Sequence, residues 1–142
     1  MELYQVSVFV ENKAGRLAEI TEVLSENSIN MRALSIADTT DFGILRIIVN
    51  DPQATERILT ESGFTVTLTR VIGIQVPDRP GGLSSVLRLL SDAGISVEYL
   101  YAFIEKTADK ASVILRVDDD VKAKDVLSEN GIELINEEAF NE

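Results

Sequence analysis

Val10-Glu-Asn-Lys-Ala-Gly-Arg-Leu17 and, half a chain later, Val76-Pro-Asp-Arg-Pro-Gly-Gly-Leu83 are two versions of one loop, and their alignment decides how the chain is built. Gly15 falls on Gly81 and Leu17 on Leu83, and the register continues through Leu24 with Leu90, Ser25 with Ser91, Ile29 with Ile95 and Leu34 with Leu100. After a gap of about two residues it resumes with Val49 on Val117, Asp51 on Asp119, Leu59 on Leu127 and Gly63 on Gly131. Apolar periodicity alone could align the leucines, but not the glycines and aspartates in the same register. The 142 residues are therefore read as one unit written twice, 1–70 and 71–142. Almost nothing separates the two near Arg70 to Ile72, so no flexible linker is expected there.

Working outward from the loop, Tyr4, Val6, Val8 and Val10 alternate with Gln5, Ser7 and Phe9, the period of a strand. From Leu17 the period changes to three and four, with Leu17, Ile20, Val23 and Leu24 on one side of a helix that Asn27-Ser28 ends. A strand from about Asn30 to Ala37, a turn through Asp38 to Gly43 and a strand from Ile44 to Val49 form a hairpin. Asp51-Pro52 opens a second helix, with Ala54, Ile58 and Leu59 facing inward and Gly63 at its end, and Thr65 to Arg70 is the last strand. The second half repeats the order: strands at Val71 to Val76, Ser96 to Phe103, Ala111 to Val117 and Glu133 to Ile135, with helices at Leu83 to Ala93 and Asp120 to Asn130. Each half reads β-α-β-β-α-β, an α+β class ferredoxin-like unit with both helices on one face of an antiparallel sheet. The opposite face carries Phe9, Ile44, Ile48 and Ile114 and is expected to be partly covered.

Composition narrows the chemistry. There is no cysteine and no histidine, which removes disulfides, thiolate metal sites, a cysteine nucleophile and an imidazole base. The remaining acid–base groups are carboxylates and tyrosines, with no pair placed across a cleft, so the chain is not read as an enzyme and calls for no cofactor and no metal. The formal net charge of −11 opposes nucleic acid and anionic membrane surfaces as partners. The amino terminus has neither a basic nor an apolar signal region, and a cytoplasmic location is expected.

The loops at Asn12 to Leu17 and Asp78 to Leu83 each join a strand to the start of a helix, where unpaired N–H groups and the positive end of the dipole lie. A small carboxylate could rest on those N–H groups while the Asn12 amide or the Asp78 carboxylate binds an ammonium beside it. The plainer alternative makes Asn12 and Asp78 ordinary helix caps and Gly15 and Gly81 turn residues. Neither loop has a phosphate-cradle glycine pattern.

With this order of elements and an Asn/Asp-x-x-Gly-x-Leu or Asp-x-Pro-Gly-x-Leu loop after the first strand, each half resembles the ACT domain, a small regulatory module of amino-acid metabolism. The resemblance implies that two units pair into an extended antiparallel sheet with helices on one face, as within a homodimer. It also implies an amino acid bound between the first loop of one unit and the second strand of its neighbour. Carried over, it assigns Asn12, Ala14, Gly15, Arg16 and Leu17, and Asp78, Pro80, Gly81, Gly82 and Leu83. The facing strands would contribute Asn30, Met31 and Arg32, and Val97, Glu98 and Tyr99. With no catalytic domain joined to it, such a chain would be a sensor or subunit for a separate metabolic enzyme.

Three other features have two readings each. Tyr99, Tyr101 and Phe103 on one strand face suit base stacking or plain packing, and the charge favours packing. Asp118-Asp119-Asp120 suits an oxygen-ligand metal site or a turn and helix cap, the latter preferred. The tail from Glu137 to Glu142 is read as a frayed end, from which Phe140 could dock on a neighbour. The main functional alternative to ligand sensing is a ligand-free assembly module that pairs through its sheet edges.

Overall fold

The computed structural model of the chain describes residues 2–38, 41–104 and 109–136. The expected turn residues Thr39 and Thr40 and the tail from Glu137, with Phe140, lie outside them. In order along the chain come β1 (Leu3–Glu11), α1 (Arg16–Glu26), β2 (Met31–Asp38), β3 (Phe42–Val49), α2 (Pro52–Glu61) and β4 (Thr65–Pro77). Then follow α3 (Gly82–Asp92), β5 (Val97–Ile104), β6 (Lys110–Val117), α4 (Asp120–Glu129) and β7 (Glu133–Ile135). The strand break expected near Arg70 to Ile72 does not occur, and β4 runs through it for 13 residues. Its first part belongs to a unit spanning Tyr4–Thr69 and its second to a unit spanning Arg70–Asn136, which also takes in Leu3.

In the first unit β1 pairs antiparallel with β3, Val6 opposite Ile47 and Val8 opposite Leu45, and β2 flanks β3 with Leu34 opposite Ile47. Strand β1 also lies beside β4, where Ser7 Oγ and Thr69 Oγ1 are 3.3 Å apart. In the second unit β4 pairs with β6, Ile72 opposite Leu115 and Ile74 opposite Val113, while β5 and β7 flank β6 and β4. Alternation along the strands sends one row of side chains towards the helices. Val6, Val8, Val10, Leu45, Ile47 and Val49 meet Ile20, Leu24 and Leu59 in the first core. Ile72, Ile74, Val76, Val113, Leu115 and Val117 meet Val86, Leu90 and Leu127 in the second. Each such side chain contributes about 1.5–3 kcal/mol of burial, so these rows hold each sheet to its helices.

Two inward assignments change. Leu17 is 41% exposed, because the apolar stripe of α1 starts one turn later, at Ile20. In α2 the buried positions are Pro52, Thr55 and Leu59, with Ala54 and Ile58 only half-buried. Thr55 tolerates burial because its hydroxyl donates to Asp51 O at 2.8 Å. On the face away from the helices Ile48 and Ile114 are fully buried, as is Gln5, while Phe9 is 49% exposed. Tyr99, Tyr101 and Phe103 lie on the same face as Ile114, half-buried and opposite Arg116, Ile114 and Ser112. That placement is packing on a strand face.

Duplication extends to fine detail. Both second strands are bulged at their start, between Met31 and Ala33 and between Val97 and Tyr99. Ahead of each bulge one backbone N–H donates to a side chain of the residue that follows the third strand: Asn30 N to Asn50 Oδ1 and Ser96 N to Asp118 Oδ1, both 3.0 Å. Asp51 and Asp119 cap α2 and α4 by accepting from Ala54 N and Lys122 N, both 3.1 Å. Asp118 and Asp119 are thus backbone acceptors, as the turn-and-cap reading requires.

The segments after α1 and α3 both turn left-handed, at Ser28 (φ 58) and Gly94 (φ 75). A Cβ on Gly94 would meet nothing within 4 Å, so its cost is conformational alone. Thermal denaturation should show Gly94→Ala losing about 1–2 kcal/mol. Ser28→Gly, which relieves the same strain in the first unit, should gain up to about 1 kcal/mol.

Candidate functional site

The first loop leaves β1 at Glu11 and enters α1 at Arg16; the second leaves β4 at Pro77 and enters α3 at Gly82. Their backbones superpose bond for bond. Asn12 N and Asp78 N donate to Asp41 O and Asp109 O at 3.1 and 2.9 Å, tying each loop to the neighbouring hairpin. Lys13 N and Arg79 N then donate back to Glu11 O and Pro77 O, and Arg16 N and Gly82 N to Lys13 O and Arg79 O. Gly15 and Gly81, both at φ 88, are the N-cap residues, and neither helix has a side-chain cap.

That last point corrects the plainer alternative: Asn12 and Asp78 are not helix caps. Both are exposed at the outer side of the loop, three residues before the cap. The first N–H of each helix is taken by Lys13 O or Arg79 O, and the turn that follows carries the positive end of the helix dipole. Helix ends of this kind favour anions in general, and Asp78 puts a carboxylate in the second loop.

Ala14, Gly15 and Leu17 are exposed and Arg16 is half-buried; in the second loop Pro80 and Gly81 are exposed, Leu83 is half-buried and Gly82 is buried. The strand residues lie elsewhere in each unit. Glu11 pairs with Phe42 at one end of the sheet, whereas Met31 pairs with Val49 at the other. Asn30, Met31 and Arg32 therefore do not join Asn12 to Leu17 within the first unit, nor do Val97, Glu98 and Tyr99 join Asp78 to Leu83 within the second. Asn30 and Met31 instead edge a shallow depression of about 410 Å³ between the end of α1 and the start of β2. Leu83 edges another of about 420 Å³ along α3 with Leu87 and Arg88. Arg32 and Glu98 both fall at the bulge, and Glu98 Oε2 is 3.8 Å from Arg116 Nε.

Side chains make the loops unlike. Arg16 reaches Glu19 at 3.0 Å and Glu11 at 3.6 Å, and its guanidinium lies 5.3 Å from the centre of the Phe64 ring. Lys13 is 3.0 Å from Glu11, and this bond, with the charges of Lys13 and Arg16, holds the Glu11 carboxyl below its ordinary value of 4.5. Nothing in the sequence pattern pointed to this cluster, because its members come from a strand end, a loop, a helix and the residue before β4. In the second loop the closest approach is backbone to backbone: a Cβ on Gly82 would sit 2.1 Å from Pro77 O.

A duplicated βαββαβ chain with a glycine-capped helix behind each first strand is an ACT-type architecture. The chain belongs to the ACT domain pair family, whose profile matches residues 1–142. Among solved structures it is similar to protein BT0572 from Bacteroides thetaiotaomicron, at 42% identity and a TM-score of 0.95, covering 100% of this chain and 97% of that one. Its fold is also that of the ligand-free regulatory subunit of aspartate kinase from Thermus thermophilus, at 14% identity and a TM-score of 0.65, covering 91% and 93%. The regulatory subunit of aspartate kinase from Thermus flavus matches at 16% and 0.61, covering 90% of each chain. No curated protein matches the sequence.

Two outcomes are expected at the loops. Gly82→Ala forces the loop away from Pro77 and should cost about 1–3 kcal/mol in denaturant unfolding. In an NMR titration Glu11 should protonate below 4.5, and Lys13→Gln should move it back up. Because the folded value is the lower one, whatever stability this pairing adds is present above the ordinary carboxylate value and is lost as pH falls through the depressed one.

Proposed function

We propose that this chain is a non-catalytic regulatory protein that binds an amino acid at its glycine-capped loops and acts on a separate metabolic enzyme. The observation that carries this is the repeated loop geometry: two helix amino termini without side-chain caps, the second with Asp78 in its loop. A zwitterionic α-amino acid carries a charge complementary to each of those groups. The segments Asn30 to Arg32 and Val97 to Tyr99 lie far from the loops of their own units, so they would contribute only from a neighbouring unit, as in a homodimer. The regulatory subunits of aspartate kinase with the same fold support the regulatory part of the reading. No helix among the described residues is long and apolar enough to cross a membrane. We place the protein in the cytoplasm, where an amino-acid-metabolic enzyme would be met.

A second reading has its own support. Leu34 and Ile36 on the outer strand β2 are 58% and 46% exposed on one face, which suits pairing of sheet edges without any ligand. A thermal-shift screen with the twenty amino acids separates the two. One or a few should raise Tm, since a ligand that binds only the folded state stabilises it. No shift at millimolar concentration would leave the pairing role in place of sensing. In titration calorimetry Asp78→Ala should weaken binding by about 1–3 kcal/mol, and Asn12→Ala by less, because the first is a charge-assisted bond. The reverse order would move the site to the first loop.

A further inference from the structure

The chain has seven asparagines, and only Asn27, before Ser28, and Asn130, before Gly131, are followed by a small residue. An asparagine side chain is open to attack by the backbone nitrogen of the next residue, and a small next residue leaves that nitrogen free to reach it. Both pairs occupy the same place in a helix. Asn27 is the C-cap of α1 at φ −104 and ψ 15, and Asn130 is the C-cap of α4 at φ −100 and ψ 14. The residue after each is left-handed, Ser28 at φ 58 and Gly131 at φ 75. Asn27 Nδ2 donates to Val23 O and Asn130 Nδ2 to Val126 O, both at 2.8 Å. Ser28 N and Gly131 N donate to Ser25 O and Ser128 O, both at 3.1 Å, and Ile29 N and Ile132 N close the turns on Leu24 O and Leu127 O. All four residues of the two pairs are exposed, so burial does not shield them.

The turn shields them instead. Cyclisation joins the next backbone nitrogen to the side-chain Cγ, so that nitrogen must swing to the Cβ side of the asparagine. A ψ of 14 or 15 does the reverse, placing the next nitrogen beside the residue's own nitrogen and away from Cβ. Rotation about ψ of Asn130 breaks the bonds from Gly131 N and Ile132 N, and the side chain must also leave Val126 O. We propose that Asn130-Gly131 is a site of spontaneous deamidation that the last turn of α4 holds closed. When the turn opens, Gly131 N bonds to Asn130 Cγ, the Cγ–Nδ2 bond breaks, and the proton of Gly131 N leaves with Nδ2 as ammonia. Water then opens the ring at either carbonyl, leaving aspartate or isoaspartate at position 130. Either product has a carboxylate in place of the amide that donated to Val126 O, and it lies at the negative end of the helix dipole. The turn therefore closes less well once it has reacted. Helix α4 carries Ala123 and Leu127 into the second core, so the loss is felt there. Asn27 has the same lock, but Ser28 carries a Cβ and reacts more slowly when the lock is open.

Ageing the full chain in mildly alkaline buffer, well below its Tm, with peptide mapping by mass spectrometry at intervals, tests this. In guanidinium chloride, where the turn is lost, Asn130 should convert first among the asparagines and Asn27 more slowly. In the folded chain Asn130 should convert at least about tenfold more slowly than in denaturant, because reaction waits on local opening. That slowing should agree within about threefold with the hydrogen-exchange protection of the Gly131 and Ile132 amides, which report the same opening. In a Ser28→Gly chain Asn27 should rise to the rate of Asn130 in denaturant and stay slow when folded. Asn130→Asp, which stands for the aspartate product, should lower Tm. A different asparagine leading in denaturant, or no conversion of Asn130 there, would overturn the site. Equal rates in the folded and denatured chain, a slowing unrelated to amide protection, or an unchanged Tm in Asn130→Asp would overturn the lock.

Discussion

Each unit depends on one backbone constraint, the left-handed residue between its first strand and first helix. A strand whose alternate residues face the core must hand over, within a few residues, to a helix that runs back across that same face. Gly15 and Gly81 at φ 88 make the reversal, and the bonds from Asn12 N to Asp41 O and Asp78 N to Asp109 O hold the loop against the adjoining hairpin while they do. A residue with a Cβ adopts that conformation only at a cost of about 1–2 kcal/mol. Once the reversal is set, Ile20 and Leu24 fall over Val6 and Val8, and Val86 and Leu90 over Ile72 and Ile74. Core and loop are therefore consequences of one turn.

The same turn leaves the helix ends open. A serine, aspartate or asparagine at the N-cap would fold its side chain into the first turn, as Asp51 and Asp119 do for α2 and α4. Glycine has nothing to fold in. Among the described residues, two of the four helices are thus capped by their own side chains and two are not, and the two that are not are the ones that follow the first strand of each unit. Side-chain capping and glycine capping are assigned to different helices of the same unit.

The repeat, the strand alternation and the caps at Asp51 and Asp119 were legible in the sequence because each rests on spacing along the chain or on a single local residue type. Leu17 was misassigned because a hydrophobic period does not mark its own first turn, and the loop glycine two residues earlier, Gly15, sets the helix phase. Thr55 was missed because its burial depends on a bond to Asp51 O that composition cannot announce. The strand break near Arg70 was expected from duplication, yet two strands with no residues between them have no reason to separate, and β4 is continuous. The loop residues could be named but not their connections: Arg16 meets Phe64 across 48 positions of chain, and only the fold brings them together.

Net charge illustrates the same distinction between what is summed along the chain and what is met in space. At −11 the whole molecule repels anions, but exposed charges are screened beyond about 8–10 Å at physiological ionic strength. What acts locally at each loop is therefore the few charged residues beside it. At the first loop those are Glu11, Lys13, Arg16 and Glu19, two positive and two negative groups already paired with one another. At the second they are Arg79 and the single carboxylate of Asp78, ahead of a first turn of α3 that has no acidic residue. Duplication supplied two equal backbones, and the differences at Glu11/Pro77, Asn12/Asp78, Arg16/Gly82 and Glu19/Ser85 give them different charged neighbours.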